Sequence, residues 1–297
     1  MRVAHVTAGW VLCAMSALPA WTQDDPGDLA ADAAATASAE PAVSFNYQTG
    51  DIVLPNKVAT LHLGERFRYL APDEANKLLQ LWGNPPEDSQ GAVVAADVDP
   101  MGEERWAVFL SYREEGHIDD SDAEEIDYGE LLESMREGQQ EANKARKQAG
   151  YDAVHLVGWA EPPRYDASAR KLYWAKEIAA DGMSMRVVNY DVRVLGREGV
   201  LSMEAVASME RLPRLREDMK PLLAAAQFNP GYRYEEFNEN TDKVAAYGLG
   251  ALVAGAAAAK LGLFAKLLPF LKFIIMGVVA LGALLLNVFR RKKGQAA

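Results

Sequence analysis

Length, composition and charge exclude some classes of function for this protein. The 297 residues include 42 acidic and 31 basic side chains, for a formal net charge of −11. Between Trp21 and Lys243, 42 acidic residues face 23 basic ones, and this net charge of −19 disfavours a nucleic-acid partner. Cys13 is the one cysteine, so disulfides and sites with several cysteine ligands are excluded.

The first 44 residues predict export. Arg2 precedes an uncharged run from Val6 to Ala20, which is shorter than the ~20 apolar residues that span a bilayer. Residues 1–22 are therefore interpreted as a signal peptide, with an uncleaved N-terminal anchor as the alternative. Residues 23–44 are rich in Ala and predict a disordered spacer, because they hold few side chains that a core could bury.

Residues 45–243 predict a periplasmic α+β domain, built as one antiparallel sheet with flanking helices. The first half predicts a hairpin, a helix, two strands, a long helix and a strand, at Gly50–Leu54 with Lys57–Leu63, Ala71–Leu81, Val93–Val98, Trp106–Tyr112, Tyr128–Ala149 and Ala153–Trp159. The second half predicts a three-stranded meander and a helix broken at Pro221, at Arg170–Ala179, Met185–Leu195, Val200–Met209 and Leu212–Phe228.

The long helix carries a predicted buried face at helical spacing. The face consists of Tyr128, Leu131, Leu132, Met135, Ala142, Ala145 and Ala149. Its acidic start after Asp119–Asp127 suits the positive end of the helix dipole, and Gly150 predicts its end.

The C-terminal region predicts a membrane anchor. Residues 267–289 reach spanning length, and the basic residues 290–293 directly after them favour a cytoplasmic tail at 290–297. Residues 244–266 predict a membrane-associated helix rich in Gly and Ala, so the region is either one transmembrane helix or a helical hairpin. A predicted helix-packing face of small residues comprises Gly248, Ala251, Gly255, Ala258 and Gly262.

Catalytic and metal-binding signatures do not occur in the sequence. His62, His117 and His155 stand far apart in the chain, and no His-Glu-x-x-His pair is present. A calcium loop starting at Asp120 fails, because Glu125 replaces the required glycine and Leu131 the final glutamate. We therefore expect no metal and no cofactor, and we assign no catalytic residue.

One polar and aromatic constellation is interpreted as a possible binding surface. Its members are Trp159, Glu161, Arg164, Tyr165, Tyr173, Trp174 and Lys176. Aromatic and arginine side chains anchor many interfaces. The alternative is that they are ordinary cross-strand pairs around a proline-rich turn at Pro162 and Pro163.

Five stretches resemble a bacterial family of uncharacterised membrane-anchored proteins, the domain of unknown function numbered twenty-one sixty-seven. They are Gly150–Pro163, Lys171–Glu177, Arg193–Arg197, Phe228–Tyr234 and Asp242–Gly248. The resemblance covers roughly Phe45 to the C-terminus. It implies a membrane-anchored envelope protein and brings no reaction, cofactor or catalytic residue.

The leading hypothesis is an interaction or assembly module of the cell envelope. It places the chain in the bacterial inner membrane, with the main domain periplasmic and an envelope protein, a membrane protein or a second copy as partner. One alternative is a hydrolase with a dispersed active site that uses His155, Glu161 and Asp166. The other is an accessory subunit of a membrane transporter.

Overall fold

The computed structural model describes residues 43–124 and 126–254. It confirms the α+β class, with a large antiparallel sheet and flanking helices. The eleven strands found in these residues are β1 (Tyr47–Gln48), β2 (Asp51–Val53), β3 (Ala59–His62), β4 (Phe67–Leu70), β5 (Gly91–Ala95), β6 (Ala107–Arg113), β7 (Val154–Asp166), β8 (Lys171–Ala180), β9 (Val187–Leu195), β10 (Val200–Ser208) and β11 (Ala226–Phe228). The same residues form four α-helices: α1 (Pro72–Leu81), α2 (Tyr128–Gln148), α3 (Leu212–Ala225) and α4 (Leu249–Ala254).

The large sheet has eight strands in the order β1-β4-β5-β6-β10-β9-β8-β7. The predicted meander forms its second half, because β9 pairs antiparallel with both β8 and β10. Strand β10 also pairs with β6 from Val200 to Val206. The two halves of the sheet are therefore joined through β10.

The prediction of a single sheet is wrong. A second sheet of three strands, in the order β11-β3-β2, contains the predicted N-terminal hairpin. Residues Ala226–Phe228, predicted as the end of a helix, instead pair with Ala59–Leu61. Strands β1 and β4 were not predicted, since two and four residues are too short to show a clear alternation.

The predicted break at Pro221 is also wrong, because α3 continues through it. Proline removes one backbone donor from a helix. Here the helix keeps its course because Leu215, Met219 and Leu222 are buried against the sheet. Packing on the sheet outweighs the missing hydrogen bond.

The sheet separates two cores. One face packs against α1, α2 and α4, and its core includes Trp82, Phe109, Met135 and Trp174. The other face packs against α3 and the three-stranded sheet. We call these the α2 face and the α3 face.

Only the first half of the predicted α2 face is confirmed. Leu131 and Met135 are buried, but Ala145 and Ala149 are exposed. In the second half of the helix, the buried residues are Gln139 and Arg146. Apolar periodicity selects the alanines in this half of the helix. The residues that are buried there are polar, so the sequence pattern misses the contact.

That polar contact is a ladder of side chains on the free edge of β7. Asn143 bonds both the carbonyl (2.7 Å) and the amide (2.9 Å) of Val154, as a neighbouring strand would. Gln139 accepts from the amide of Leu156 at 2.6 Å, and Arg136 donates to the carbonyl of the same residue at 3.2 Å. Along the first half of β7, helix side chains thus occupy the positions that a ninth strand would take, and they block pairing with another chain there.

No helix among the described residues is long and apolar enough to cross a bilayer. The predicted signal peptide (1–22), the transmembrane helix (267–289) and the basic tail (290–297) lie outside these residues, as does most of the predicted spacer (23–44). Of the predicted Gly/Ala-rich helix, residues 244–254 are described.

We expect Asn143→Ala to lower the free energy of unfolding by about 1–3 kcal/mol, since the amide and carbonyl of Val154 lose their partner. Urea denaturation of residues 43–254 measures this change. The matched control is Gln140→Ala on the exposed side of α2, which should change stability by less than about 0.5 kcal/mol. Equal effects from the two variants would contradict a stabilising role for the ladder.

Candidate functional site

The predicted binding surface is divided between the two faces of the large sheet. Trp159, Tyr165 and Trp174 pack with the core of the α2 face, and Lys176 stands opposite Trp159 in the strand pairing. Glu161, Arg164 and Tyr173 lie on the α3 face, where Glu161 pairs with Arg216 of α3 and Arg164 stacks 4.9 Å over the Tyr173 ring. The seven residues do not form one surface.

Two causes produce this division: ordinary alternation along β8 separates Tyr173 from Trp174 and Lys176, and β7 has an irregular course. Its register with β8 shifts between Leu156 and Gly158, between Trp159 and Glu161, and again before Arg164. Each shift changes which side chains point to a given face. The two prolines lie inside this strand and not in a turn, which is tolerated because β7 is an edge strand.

The three hydrolase candidates are not assembled into a site. His155 contacts Asp181 at 2.7 Å, and Asp166 accepts hydrogen bonds from Ser168 in the turn after β7. His155 and Asp166 stand near opposite ends of the strand, which at ~3.3 Å per residue spans roughly 35–40 Å. These residues therefore provide no support for hydrolysis.

The centre of the α2 face carries a group of buried charges, which we call the charge cluster: Lys176, Asp191, Arg193 and Glu204. Their strands place them on adjacent rungs, since Asp191 stands opposite Glu204 and Arg193 is two residues further along β9. The Lys176 ammonium lies 3.0 Å from the Asp191 carboxylate. Arg193 reaches Asp191 at 3.3 Å and Glu204 at 2.7 Å. The two positive and two negative charges of the cluster therefore sum to zero.

Burial makes this cluster unusual. The side chain of Asp191 is 0% exposed and that of Lys176 is 6% exposed. Burial raises the pKa of Asp191, while the nearby Lys176 opposes that rise. Removing paired charges from water costs several kcal/mol per ion, so buried ion pairs are weak evidence for a gain in stability.

Trp174 completes the cluster on one side. Arg193 lies 4.9 Å over its ring, a cation–π contact made stronger by exclusion of water. The indole nitrogen is buried and has no hydrogen-bond partner among the described residues.

Two further carboxyl groups have raised pKa values. Burial raises the pKa of Glu87 to about 7, with a further upward contribution from Glu204 and opposing ones from Arg113 and Arg146. Burial also raises the pKa of Glu115, which lies 3.8 Å from Arg113.

Metal binding receives no support within residues 43–124 and 126–254. No group of three or more His, Cys, Asp or Glu side chains there could hold a metal ion. An open cleft of about 300 Å³ lies elsewhere, lined by Tyr47, Arg68 and residues 96–100. None of the predicted site residues lines it.

A second feature concerns residues 242–253, which we call the exit segment because they lead into the predicted membrane region. Arg197 holds Asp242 through two hydrogen bonds, at 2.6 Å and 2.8 Å. This contact holds the pKa of Asp242 well below its usual range. The His117 amide donates to the Lys243 carbonyl, and the Ala245 amide donates to the His117 carbonyl, both at 2.8 Å.

Close packing around His117 reinforces this attachment. Its ring stacks on Phe237 at 3.9 Å and lies 4.2 Å from the ring of Tyr234. Gly116 has φ +95°, and a Cβ there would lie 2.7 Å from the Lys243 carbonyl oxygen. Glycine is therefore required both for the backbone conformation and for the space.

Asp120 ties the same region to the end of the β7–β8 hairpin. It accepts hydrogen bonds from the hydroxyl groups of Tyr165 (2.6 Å) and Tyr234 (3.2 Å), and it pairs with Arg170. Burial works to raise the pKa of Asp120, but the hydrogen bond from Tyr165 and the nearby Arg170 lower it overall. The carboxylate stays ionised and joins three parts of the chain.

The exit segment ends inside the domain core. Leu249, Leu252 and Val253 are buried in the core of the α2 face. Gly248 lies against Asp122, whose carboxylate accepts from the Leu249 amide at 3.1 Å. Of the predicted helix-packing face, Gly248 therefore contacts its own domain and Ala251 is half-buried, while Gly255, Ala258 and Gly262 lie outside the described residues.

A model of the family described as "Protein of unknown function (DUF2167)" matches residues 46–282. The chain belongs to this family. Membership confirms the resemblance noted in the sequence but supplies no activity. Stretches that carry the resemblance meet at the exit segment, where Arg197 contacts both Asp242 and the Gly231 carbonyl.

Other comparisons add little. No curated protein matches the chain. Among solved structures, the solution structure of cyanobacterial PsbP (CyanoP) from Synechocystis sp. PCC 6803 is similar at a TM-score of 0.34 and 9% identity. The match covers 65% of this chain and 99% of that one, and at this TM-score it carries no argument.

Sequence reasoning found Trp174 and Lys176 but missed the rest of the cluster. Asp191 and Arg193 alternate with apolar residues in one predicted strand, and Glu204 does so in the next. In an antiparallel sheet this alternation is typical of a face exposed to solvent, so no signal in the sequence showed that these charges are buried. The exit contacts are long-range and left no local pattern.

We expect Lys176→Met to lower the free energy of unfolding by about 3–5 kcal/mol, because Asp191 stays buried with one partner fewer. The control is Lys220→Met, which breaks an exposed pair with Glu217 at 2.7 Å and should cost less than about 1 kcal/mol. Urea denaturation of residues 43–254 compares the two variants. A similar small loss in both would contradict the energetic importance of burial.

Gly248→Ala should release the exit segment, because the new Cβ would lie 2.2 Å from the Asp122 carboxylate. Loss of a hydrogen bond worth about 1 kcal/mol, together with the clash, should reduce amide protection across residues 245–253 roughly tenfold. Gly250→Ala is the matched control, since its nearest contact is Ile126 at 3.8 Å. Hydrogen exchange measured by mass spectrometry compares amide protection in the two variants. Equal protection of residues 245–253 in both would argue against a role for the contact between Gly248 and Asp122.

Proposed function

We propose that this DUF2167 protein is a membrane-anchored periplasmic interaction module of the cell envelope. In this proposal the protein is located in the inner membrane, and its partner is a second envelope or membrane protein. The domain acts from a fixed position above the bilayer. The predicted signal peptide and the apolar segment at 267–289 motivate the topology.

The observation that carries the proposal is the docking of the exit segment. A domain on a passive tether would be joined by a polar, flexible linker. Here the chain that leads toward the predicted span is held by Arg197, His117 and Asp122 and ends in the core. Such an attachment fixes the direction in which the chain leaves the sheet on its way to the predicted span.

The charge of the domain is consistent with a protein partner. Residues 43–254 hold 37 acidic and 23 basic side chains, a net charge of −14. A surface of this sign disfavours anionic headgroups and favours a partner with a basic face. A transporter subunit and a second copy of the chain stay alternatives for that partner.

The decisive experiment changes orientation while it keeps every part of the protein. A flexible Gly/Ser insertion of ten residues after Ala254 leaves the described domain and the predicted anchor intact but uncouples them. We expect cross-linked capture from native membranes to recover a defined partner with the unmodified chain. The insertion variant should lose most of that partner at equal abundance in the membrane fraction.

The control is an insertion of the same composition in the exposed turn at Ala167–Ser168, which leaves the exit segment unchanged. If both insertion variants capture the partner as well as the unmodified chain, orientation has no role. If the unmodified chain captures no defined partner, the interaction proposal itself is contradicted. A soluble comparison must end after Ala254, since a chain that stops at Lys243 loses three core residues.

A further inference from the structure

His117 connects the exit segment to the rest of the domain. Its amide donates to the Lys243 carbonyl, and its carbonyl accepts from the Ala245 amide, both at 2.8 Å. The two bonds make a parallel β-bridge between His117 and Val244. The exit segment therefore stays docked through this bridge only while the backbone of His117 keeps its place.

The ring of His117 anchors that backbone in an aromatic contact. It stacks on the Phe237 ring with 3.9 Å between ring centres and 15° between the planes, and the Tyr234 ring lies 4.2 Å away. The residue is 9% exposed, and its Nδ1 atom is buried with no hydrogen-bond partner among the described residues. A protonated ring carries an N–H group on both nitrogens, so Nδ1 would become a buried donor without an acceptor.

Charged and titratable groups surround the ring and the bridge. Asp120 pairs with Arg170 and accepts hydrogen bonds from Tyr165 and Tyr234, and Asp119 accepts from the Ser121 amide at 2.8 Å. The two carboxylates that attract a proton to the ring are thus already engaged by other donors. The full set is Glu115, Asp119 and Asp120 from the loop after β6, Arg170 from the β7–β8 turn, Arg197 and Glu198 from the β9–β10 turn, Tyr234 from the segment after β11, and Asp242 and Lys243 from the exit segment.

We propose that His117 makes the docking of the exit segment sensitive to acid: the neutral ring keeps the segment docked, and a proton taken up from solvent releases it. The charged ring needs water and an acceptor for Nδ1, and the stack on Phe237 supplies neither. Aromatic faces attract a cation, but here they also exclude the water that would hydrate it. The ring then leaves the stack, and the bridge to Lys243 and Ala245 breaks with it.

This regulation rests on the proposed function for its consequence. At neutral pH the docked segment holds the domain in a fixed orientation above the bilayer. Release in acid would end that orientation while the chain stays anchored through its predicted span. The domain would thereby respond to the pH of the compartment that surrounds it.

The sign of the pH dependence follows from the proton linkage. Burial lowers the pKa of His117, while the Arg197 backbone, Asp120 and Asp119 oppose this effect and Arg170 adds to it. A released ring takes up its proton at about pH 6.5, so it binds the proton more tightly than the docked ring does. The stability from docking is therefore fully present above about pH 6.5 and is lost as the pH falls below that value.

Hydrogen exchange of the full chain in lipid nanodiscs tests this contact. Exchange is measured between about pH 5 and about pH 7.5, which covers the titration of a free histidine, and is corrected for intrinsic exchange rates. We expect protection of residues 243–253 to fall roughly threefold or more as the pH drops across this range, while peptides from β3 and β9 change little. In His117→Phe, which keeps a flat ring for the stack on Phe237 but takes up no proton, protection should not depend on pH.

Glu115→Gln is the matched control, because Glu115 is the carboxyl group that titrates beside the bridge. Burial raises its pKa, while the charges of Arg113, Arg193 and Lys243 oppose this rise. The variant should keep the wild-type pH dependence. Three results would overturn the proposal: constant protection in the wild type, the same pH dependence in His117→Phe, or its loss in Glu115→Gln.

The proposal stays testable if His117→Phe does not fold. The wild type and Glu115→Gln then decide, since a loss of protection spread evenly over all peptides contradicts a local release. None of these measurements involves a partner, so a failure of the proposed interaction function would show separately in the capture experiment.

Discussion

The position of α2 against the free edge of β7 is the constraint on which the rest of the domain depends. A long edge strand leaves a row of unpaired backbone groups, and those of its first half are met by Arg136, Gln139 and Asn143. Since these bonds fix the helix in register with the strand, they also set where its apolar first half lies. That half packs with α4 in one core, so α2 also contributes to holding the exit segment.

The same layer makes the buried charges tolerable. Lys176, Asp191 and Arg193 are each matched by an opposite charge, which keeps the cost of burial within what the surrounding core can offset. Their arrangement on successive rungs is rigid because three neighbouring strands hold it.

Regular elements could be predicted from the sequence, while contacts set by irregularity could not. The meander was predictable from strict alternation on either side of Asp181 and Gly182, a pattern with one structural interpretation. The surface around Trp159 and Arg164 was not confirmed as a unit: Tyr173 alternates with Trp174 along β8, and the register shifts within β7 cannot be seen in the sequence. The prediction of the buried face in the second half of α2 failed for a different reason. Gln139 and Arg146 are polar, and a search for apolar periodicity cannot find a buried face whose contacts are hydrogen bonds.

The ladder between α2 and β7 also bears on how the chain reaches its fold. Asn143 and Val154 are 11 residues apart and Gln139 and Leu156 are 17 apart, whereas β6 meets β10 across about ninety residues. Short loops close sooner than long ones, so we expect helix and strand to associate before the sheet is complete. The first half of this edge would then be covered while most of the sheet has yet to form, which lowers the chance that it pairs with another chain.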